Sequence, residues 1–165
     1  MPRIPDLFPK TVYCIDTSSL INLMPHGNKD VYRRDVFPTI WETLENMIKN
    51  EELISPLEVC EEIKVGQDTL HDWCKKNKKM FRDIDECQSQ KFQDVEKKYD
   101  KDYWKNEINK PRWADPWVIA LGICEEAIIV SDEKKAANRI PVISSAFNLK
   151  CLGLLDFFKE IGIKY

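Results

Sequence analysis

Residues 11–23 read TVYCIDTSSLINL, and this stretch indicates the fold class. Thr11 to Ile15 is a short apolar run rich in residues that favour strands, and Asp16 follows it directly. The hydroxyl residues at 17–19 can then cap a helix that runs to Leu23. A strand that passes directly into a helix is the first unit of an alternating α/β pattern.

The rest of the chain continues this alternation. We expect helices at 36–50, 68–80, 82–99, 117–124 and 154–161, and strands at 53–54, 127–130, 141–143 and 149–152. A lysine-rich connection is expected to follow residue 99. The alternation predicts an α/β fold of three layers, in which a central parallel sheet of four or five short strands lies between helices.

One further helix has a recognisable start at residues 55–58, which read SPLE. Ser55 is expected at the N-cap, Pro56 at the first helical position, and Glu58 completes a capping box. Gly66 is expected to end this helix.

The composition predicts one globular domain over residues 1–165, since 43% of the 165 residues are apolar and 32% are charged. The longest apolar stretch, Trp117 to Cys124, is much shorter than the roughly 20 residues of a membrane-spanning helix. The first ten residues lack the apolar centre of a signal peptide. We therefore expect a cytoplasmic protein without a membrane partner.

Cysteine and glycine spacing excludes several common sites. The six cysteines form no C-x-x-C, so we expect free buried thiols rather than a zinc knuckle or a thioredoxin site. The five glycines never cluster, which removes both the dinucleotide-binding G-x-G-x-x-G and the P-loop. The net charge of −3 means that any nucleic-acid binding must come from a local patch.

Acidic residues mark the carboxyl edge of the predicted sheet. Asp16 follows the first strand, Asp132 and Glu133 follow the strand at 127–130, and Asp115 stands where a helix starts. Glu62 lies in the helix after the second strand. In parallel sheets these positions meet at one edge, where ligands bind. Each acid alone also has a structural interpretation, with Asp16 and Asp115 as helix caps.

Carboxylates that converge repel one another and raise each other's pKa unless a cation neutralises them. Hard divalent cations prefer oxygen ligands, and Mg²⁺ or Mn²⁺ suits a site of carboxylates completed by water and phosphate. The sequence therefore predicts a Mg²⁺ or Mn²⁺ site at this edge.

Four stretches together resemble the PIN-domain nucleases, in particular a bacterial and archaeal group of about this length that is related to VapC-type toxins. They are YCIDTSSLINL (13–23), LISPLEVCEEI (53–63) with Gly66, ADPWVIALG (114–122) and IIVSDE (128–133). The resemblance implies a PIN-like fold and a metal site. Its implied catalytic and metal-binding residues are Asp16, Glu62, Asp115 and Glu133, with Thr17, Ser18 and Ser131 as supporting hydroxyls.

Two features depart from the family pattern. Residues 131–133 read SDE where the family has T-x-D, so the fourth ligand is Glu133 or, in a shifted register, Asp132. Residues 67–112 form a charged helical insertion relative to a minimal PIN domain.

The resemblance implies hydrolysis of RNA phosphodiester bonds that depends on Mg²⁺ or Mn²⁺. Relatives are often toxins of toxin–antitoxin pairs, so the expected partners are RNA and an antitoxin protein, with a homodimer left open. The alternative is a non-catalytic PIN-like module that binds RNA or a protein in the same groove. A haloacid-dehalogenase-like phosphatase is disfavoured because Ser18 stands where that chemistry needs a second acid.

One basic cluster offers phosphate contacts on an otherwise acidic chain. It comprises Lys75, Lys76, Lys78, Lys79 and Arg82. These residues are candidates for RNA binding. A solvated helix surface is the equally weighted alternative.

Overall fold

The computed structural model describes residues 10–24, 32–64 and 68–163. The strands in these residues are Tyr13–Ile15 (β1), Leu53–Pro56 (β2), Phe81–Arg82 (β3), Ile128–Val130 (β4) and Cys151–Leu152 (β5). The helices are Thr17–Leu23 (α1), Pro38–Lys49 (α2), Leu57–Ile63 (α3), Asp68–Lys76 (α4), Glu86–Glu96 (α5), Lys101–Ile108 (α6), Asp115–Cys124 (α7), Ile140–Ser145 (α8) and Leu154–Glu160 (α9). A short 3₁₀ helix spans Lys78–Met80.

The five strands form one sheet in the order β3-β2-β1-β4-β5, and every neighbouring pair is parallel. Strand β1 is central and wholly buried, and its Cys14 pairs with Ile54 of β2 and Ile129 of β4. The predicted α/β class with a parallel sheet of four or five strands is confirmed.

Helices cover both faces of this sheet. Strand order runs outward from β1 to β3 on one side, and the chain then crosses to β4 and β5 on the other. Because such connections are right-handed, the helices after β1 and β2 lie on one face and those after β3 and β4 on the opposite face. The contacts agree, since α1 packs on α3 and α7 packs on α5 and α8. The direction of the strand order switches at β1, so a crevice is expected beyond its carboxyl end.

Helix α7 lies closest to the centre of the sheet, where it contacts β1, β2 and β4. Its sequence DPWVIALGIC is apolar on nearly every side, as expected for a buried helix. A Cβ atom on Gly122 would meet the end of the Ile129 side chain, so glycine lets α7 pack closely on β4. The first residue of α7 is Asp115, at the carboxyl edge of the sheet.

The capping box predicted at residues 55–58 is wrong. Strand β2 continues through Ser55 to Pro56, and α3 begins at Leu57 without a side-chain cap. The Ser55 hydroxyl donates instead to the carbonyl oxygen of Ile15 in β1, at 2.7 Å. Pairing with β1 and β3 therefore outweighs the local preference for a cap. Gly66, the predicted end of this helix, lies outside the described residues.

Three other element predictions are wrong. Part of the helix expected at 82–99 is β3 at the edge of the sheet, and a helix, α6, occupies the expected lysine-rich connection. The strand expected at 141–143 is helix α8, with Pro141 in its first turn. Strand β3 pairs with β2, which is distant in the sequence, and local patterns do not report such pairing.

The expectation of six free thiols is also wrong. Cys87 of α5 and Cys124 of α7 form a disulfide across a Cα–Cα distance of 6.1 Å. Helix α5 lies along α7, with Phe92 stacked on Trp117 at 4.1 Å, so the two cysteines face each other. Cys14, Cys60, Cys74 and Cys151 are free.

The part of the chain that the structure describes contains no helix long and apolar enough to cross a membrane.

Candidate metal centre

The expected crevice corresponds to the region beyond the carboxyl ends of β1 and β4. Asp16 follows β1, and its backbone N–H donates to the carbonyl oxygen of Val130 in β4, at 3.0 Å. Residues 131–133 follow β4 directly. The adjacent ends of the two strands therefore bring together residues that are more than a hundred positions apart in the sequence.

Asp16 is 1% exposed and is held by a set of short hydrogen bonds. Its carboxylate accepts from the Ser18 hydroxyl at 2.8 and 2.9 Å, from the Ser131 hydroxyl at 2.5 Å, and from the Ser19 backbone N–H at 2.9 Å. Burial raises the pKa of Asp16 from 3.8 to about 6, and these donors partly oppose that rise. Asp16 thus caps α1 and also presents an oriented carboxyl to the crevice.

Asp115 occupies the first position of α7 and is 8% exposed. The N-cap is Ala114 and no side chain caps this helix, so the alternative of Asp115 as a cap does not hold. The pKa of Asp115 is raised, and burial is the largest cause. Its contact with the Glu133 carboxyl and the charges of Asp16 and Glu62 raise the pKa further. This carboxyl therefore faces the other three acids.

Glu62 reaches the crevice from α3, and its carboxylate accepts the backbone N–H of Ala114 at 2.8 Å. Burial raises the pKa of Glu62, and the Ala114 hydrogen bond opposes that rise. The Thr17 hydroxyl lies beside this carboxyl, but it is buried without a hydrogen bond of ordinary geometry. A buried hydroxyl without such a partner is costly, so Thr17 marks an unsatisfied polar position in the crevice.

The structure gives Asp132 and Glu133 different environments. Asp132 accepts from the Asn22 side chain at 2.7 Å and from the Leu154 backbone N–H at the start of α9, at 2.8 Å. Glu133 accepts the Ile140 backbone N–H at the start of α8, at 2.9 Å, and contacts Asp115. Asp132 therefore holds the start of α9, whereas Glu133 is the acid that contacts Asp115.

The donor chemistry of this cluster fits a hard divalent cation. The pKa values of Asp16, Glu62 and Asp115 are all raised, mainly by burial, and the charge of Glu133 adds to each rise. None of the four acids forms an ion pair with a described lysine or arginine. In the spacing that the structure shows, no group of three or more His, Cys, Asp or Glu among the described residues could hold a metal ion. The chemistry of the donors thus fits a metal, whereas their present spacing does not enclose one.

Tyr99, in the connection between α5 and α6, lies near two acids of the cluster. Tyr99 is 5% exposed, its ring lies 5.3 Å from that of Trp113, and its hydroxyl is buried without a hydrogen-bond partner. Burial raises the pKa of Tyr99 most, and the charges of Asp115 and Glu133 add to the effect. Nothing in the sequence pattern placed Tyr99 beside the acids.

Two side chains of the lysine cluster reach residues that precede β2. The Lys79 ammonium donates to the carbonyl oxygen of Lys49 at 2.9 Å, and Arg82 pairs with Glu51 at 3.7 Å. Both partners come just before β2 begins, at the amino edge. The backbone of Arg82 pairs with Pro56 at the carboxyl end of β2, and none of the five cations forms an ion pair with Asp16, Glu62, Asp115 or Glu133.

The family described as "Domain of unknown function (DUF4411)" matches residues 13–165. The chain belongs to this family. No curated protein matches the chain. Among solved structures, the crystal structure of VapBC2 from Rickettsia felis bound to a DNA fragment from their promoter is similar at a TM-score of 0.49 and 14% identity, over 87% of this chain and 98% of that chain. A similarity at this level does not establish the function of this DUF4411 chain.

Proposed function

We propose that the protein hydrolyses RNA phosphodiester bonds with a Mg²⁺ or Mn²⁺ ion bound by Asp16, Glu62, Asp115 and Glu133. The environment of Asp115 is the observation that carries this proposal. It is a buried carboxyl that caps nothing, contacts a second carboxyl, and forms no ion pair with a cation among the described residues. Such an arrangement is unfavourable for folding, and perturbed carboxyls in a crevice are typical of functional sites.

The surrounding residues would orient the acids for this reaction. Ser18 and Ser131 both donate to Asp16 and so fix the direction of its oxygens. The Ala114 N–H holds Glu62, and the Ile140 N–H holds Glu133. When bound, the ion would supply an activated water and neutralise charge on the phosphate.

The choice of RNA as substrate rests on the resemblance of the four acid-bearing stretches to PIN-domain nucleases. Under the same resemblance, an antitoxin protein is a proposed partner, and a homodimer remains an open alternative. Residues 67–112 are proposed as an insertion into a minimal PIN domain, and their strand β3 and helix α5 are integrated into the sheet and the α7 layer.

The lysine cluster is proposed as a second contact for RNA, because it groups five cations on an otherwise acidic chain. The salt dependence of RNA binding measures this contribution. Each lost phosphate contact on a single strand flattens the slope of log binding constant against log salt concentration by up to roughly 0.7.

The test is incubation of mixed RNA with the protein and Mn²⁺. We expect cleavage that EDTA abolishes and that Asp16→Asn and Asp115→Asn both lose. Asp115→Asn should keep or raise the melting temperature, because it relieves carboxylate repulsion and removes no cap. Glu58→Gln, one turn before Glu62 on α3, is the matched control and should cleave normally. Full cleavage by both Asp variants would contradict the proposal.

A non-catalytic PIN-like module is the second candidate, because no three of the described acids enclose a metal position. It predicts RNA or protein binding without cleavage under any metal condition. The same incubation distinguishes the two functions.

A further inference from the structure

Arg139 stands between two residues that are each held by a hydrogen bond, one of them to an acid of the cluster. The side-chain oxygen of Asn138 accepts the Asp100 backbone N–H at 2.8 Å, next to Tyr99. On the other side, the Ile140 N–H donates to Glu133 at 2.9 Å. Arg139 therefore lies between an acid of the crevice and the turn that precedes α6.

The backbone of this segment supports the same conclusion. Asn138 has a φ of 64°, a left-handed conformation that asparagine adopts more readily than most other residues with a side chain. This conformation lets the Asn138 side chain reach Asp100, which joins the loop after β4 to the start of α6. The guanidinium is thus carried by a loop that is anchored at both ends.

The guanidinium of Arg139 is exposed and stands 6.0 Å from the ring centroid of Tyr103. It forms no ion pair with a carboxylate in the described part of the chain, although Glu133 is six residues away along the same anchored loop. An arginine resting on an aromatic ring keeps its N–H donors free for a planar anion such as a carboxylate or a phosphate.

Arg34 provides a direct comparison within the same molecule. Its guanidinium also stands over an aromatic ring, that of Trp41 at 5.3 Å, but it is already paired with Glu45. Both arginines therefore make a cation–π contact, and only Arg139 has donors that no described acid uses.

We infer that Arg139, supported on the ring of Tyr103, binds a phosphate of the RNA strand immediately beside Asp115 and Glu133. This inference rests on the proposed function, because it names the residue that contacts the substrate at that site. A cation here would compensate the charge of the incoming phosphate, which the four acids alone would repel.

Binding of a short fluorescent single-stranded RNA tests this inference. The measurements use the Asp16→Asn protein with Mn²⁺, so that the probe stays intact, and are repeated over a range of salt. Adding Arg139→Gln should weaken binding about tenfold and flatten the salt slope by roughly 0.7, as for one lost phosphate contact. Arg139→Lys should keep the slope, because the charge remains.

Arg34→Gln is the matched control and should leave both the affinity and the slope unchanged. The inference is overturned if Arg139→Gln binds like its parent, if Arg34→Gln weakens binding equally, or if the parent binds no RNA. RNA binding that depends on Arg139, in a protein that cleaves no RNA, would support this inference and reject the proposed function.

Discussion

Asp16 shows that one residue can serve both the fold and the crevice. Its carboxylate caps α1 through the Ser19 N–H, and the Ser18 and Ser131 hydroxyls hold the same group within the acid cluster. The cap and the site are therefore compatible functions of one side chain. Asp115 differs, because it contributes no cap and contacts Glu133 instead.

Substitutions of Asp132 and Glu133 should have different effects on activity and stability. Glu133→Gln should lose RNA cleavage and Mn²⁺ binding, because Glu133 faces Asp115 in the crevice. Asp132→Asn should keep activity but lower stability by about 1 kcal/mol, because its carboxylate caps α9 at Leu154 and also binds Asn22. Cleavage assays and thermal denaturation of both variants measure the difference. Loss of cleavage in Asp132→Asn with full activity in Glu133→Gln would reverse the assignment.

Among the helices and strands, those with strong apolar patterns were predictable. The sequence predicted β1, β4 and α7 from their apolar runs, because an element that is buried on both sides has few polar positions. Strand β3 and helix α8 were missed, since β3 is two residues long beside a charged helix and the Ile140 N–H at the start of α8 donates to the side chain of Glu133. Local preference does not report either interaction.

The disulfide between α5 and α7 has a testable effect on stability. It closes a segment of 37 residues, for which chain entropy predicts about 4 kcal/mol of stabilisation. A reducing agent, or the double change Cys87→Ser and Cys124→Ser, should therefore lower the melting temperature markedly. Cys60→Ser, at a free thiol, is the control and should change it little. An equal melting temperature with and without reductant would show that the bond contributes nothing.

At the scale of the whole molecule, the sequence predicted the acid cluster because topology alone brings its members together. Asp16 and Glu133 follow neighbouring parallel strands, and Asp115 starts a helix that returns across them. The positions of Arg139 and Tyr99 could not be predicted in this way. They depend on the Asn138 contact with Asp100, between two loops whose spacing in the sequence carries no periodic signal.

The burial of Asp16 should also appear in the pH dependence of folding. Its pKa rises from 3.8 to about 6, so the folded state holds this proton more tightly than the unfolded state. The resulting destabilisation is absent below about pH 4, grows as Asp16 ionises up to about pH 6, and is constant above. It amounts to roughly 3 kcal/mol at most.

We therefore compare wild type with Asp16→Asn in EDTA, by chemical denaturation at several pH values. Near pH 4 the two proteins should be almost equally stable, because a protonated carboxyl resembles an amide. At pH 8 the Asn variant should be the more stable, since it removes a buried charge while its side-chain oxygen can still accept the Ser19 N–H. Glu58→Gln should follow wild type throughout. A constant difference between wild type and Asp16→Asn across this range would mean that Asp16 ionises as easily in the folded protein as in the unfolded chain.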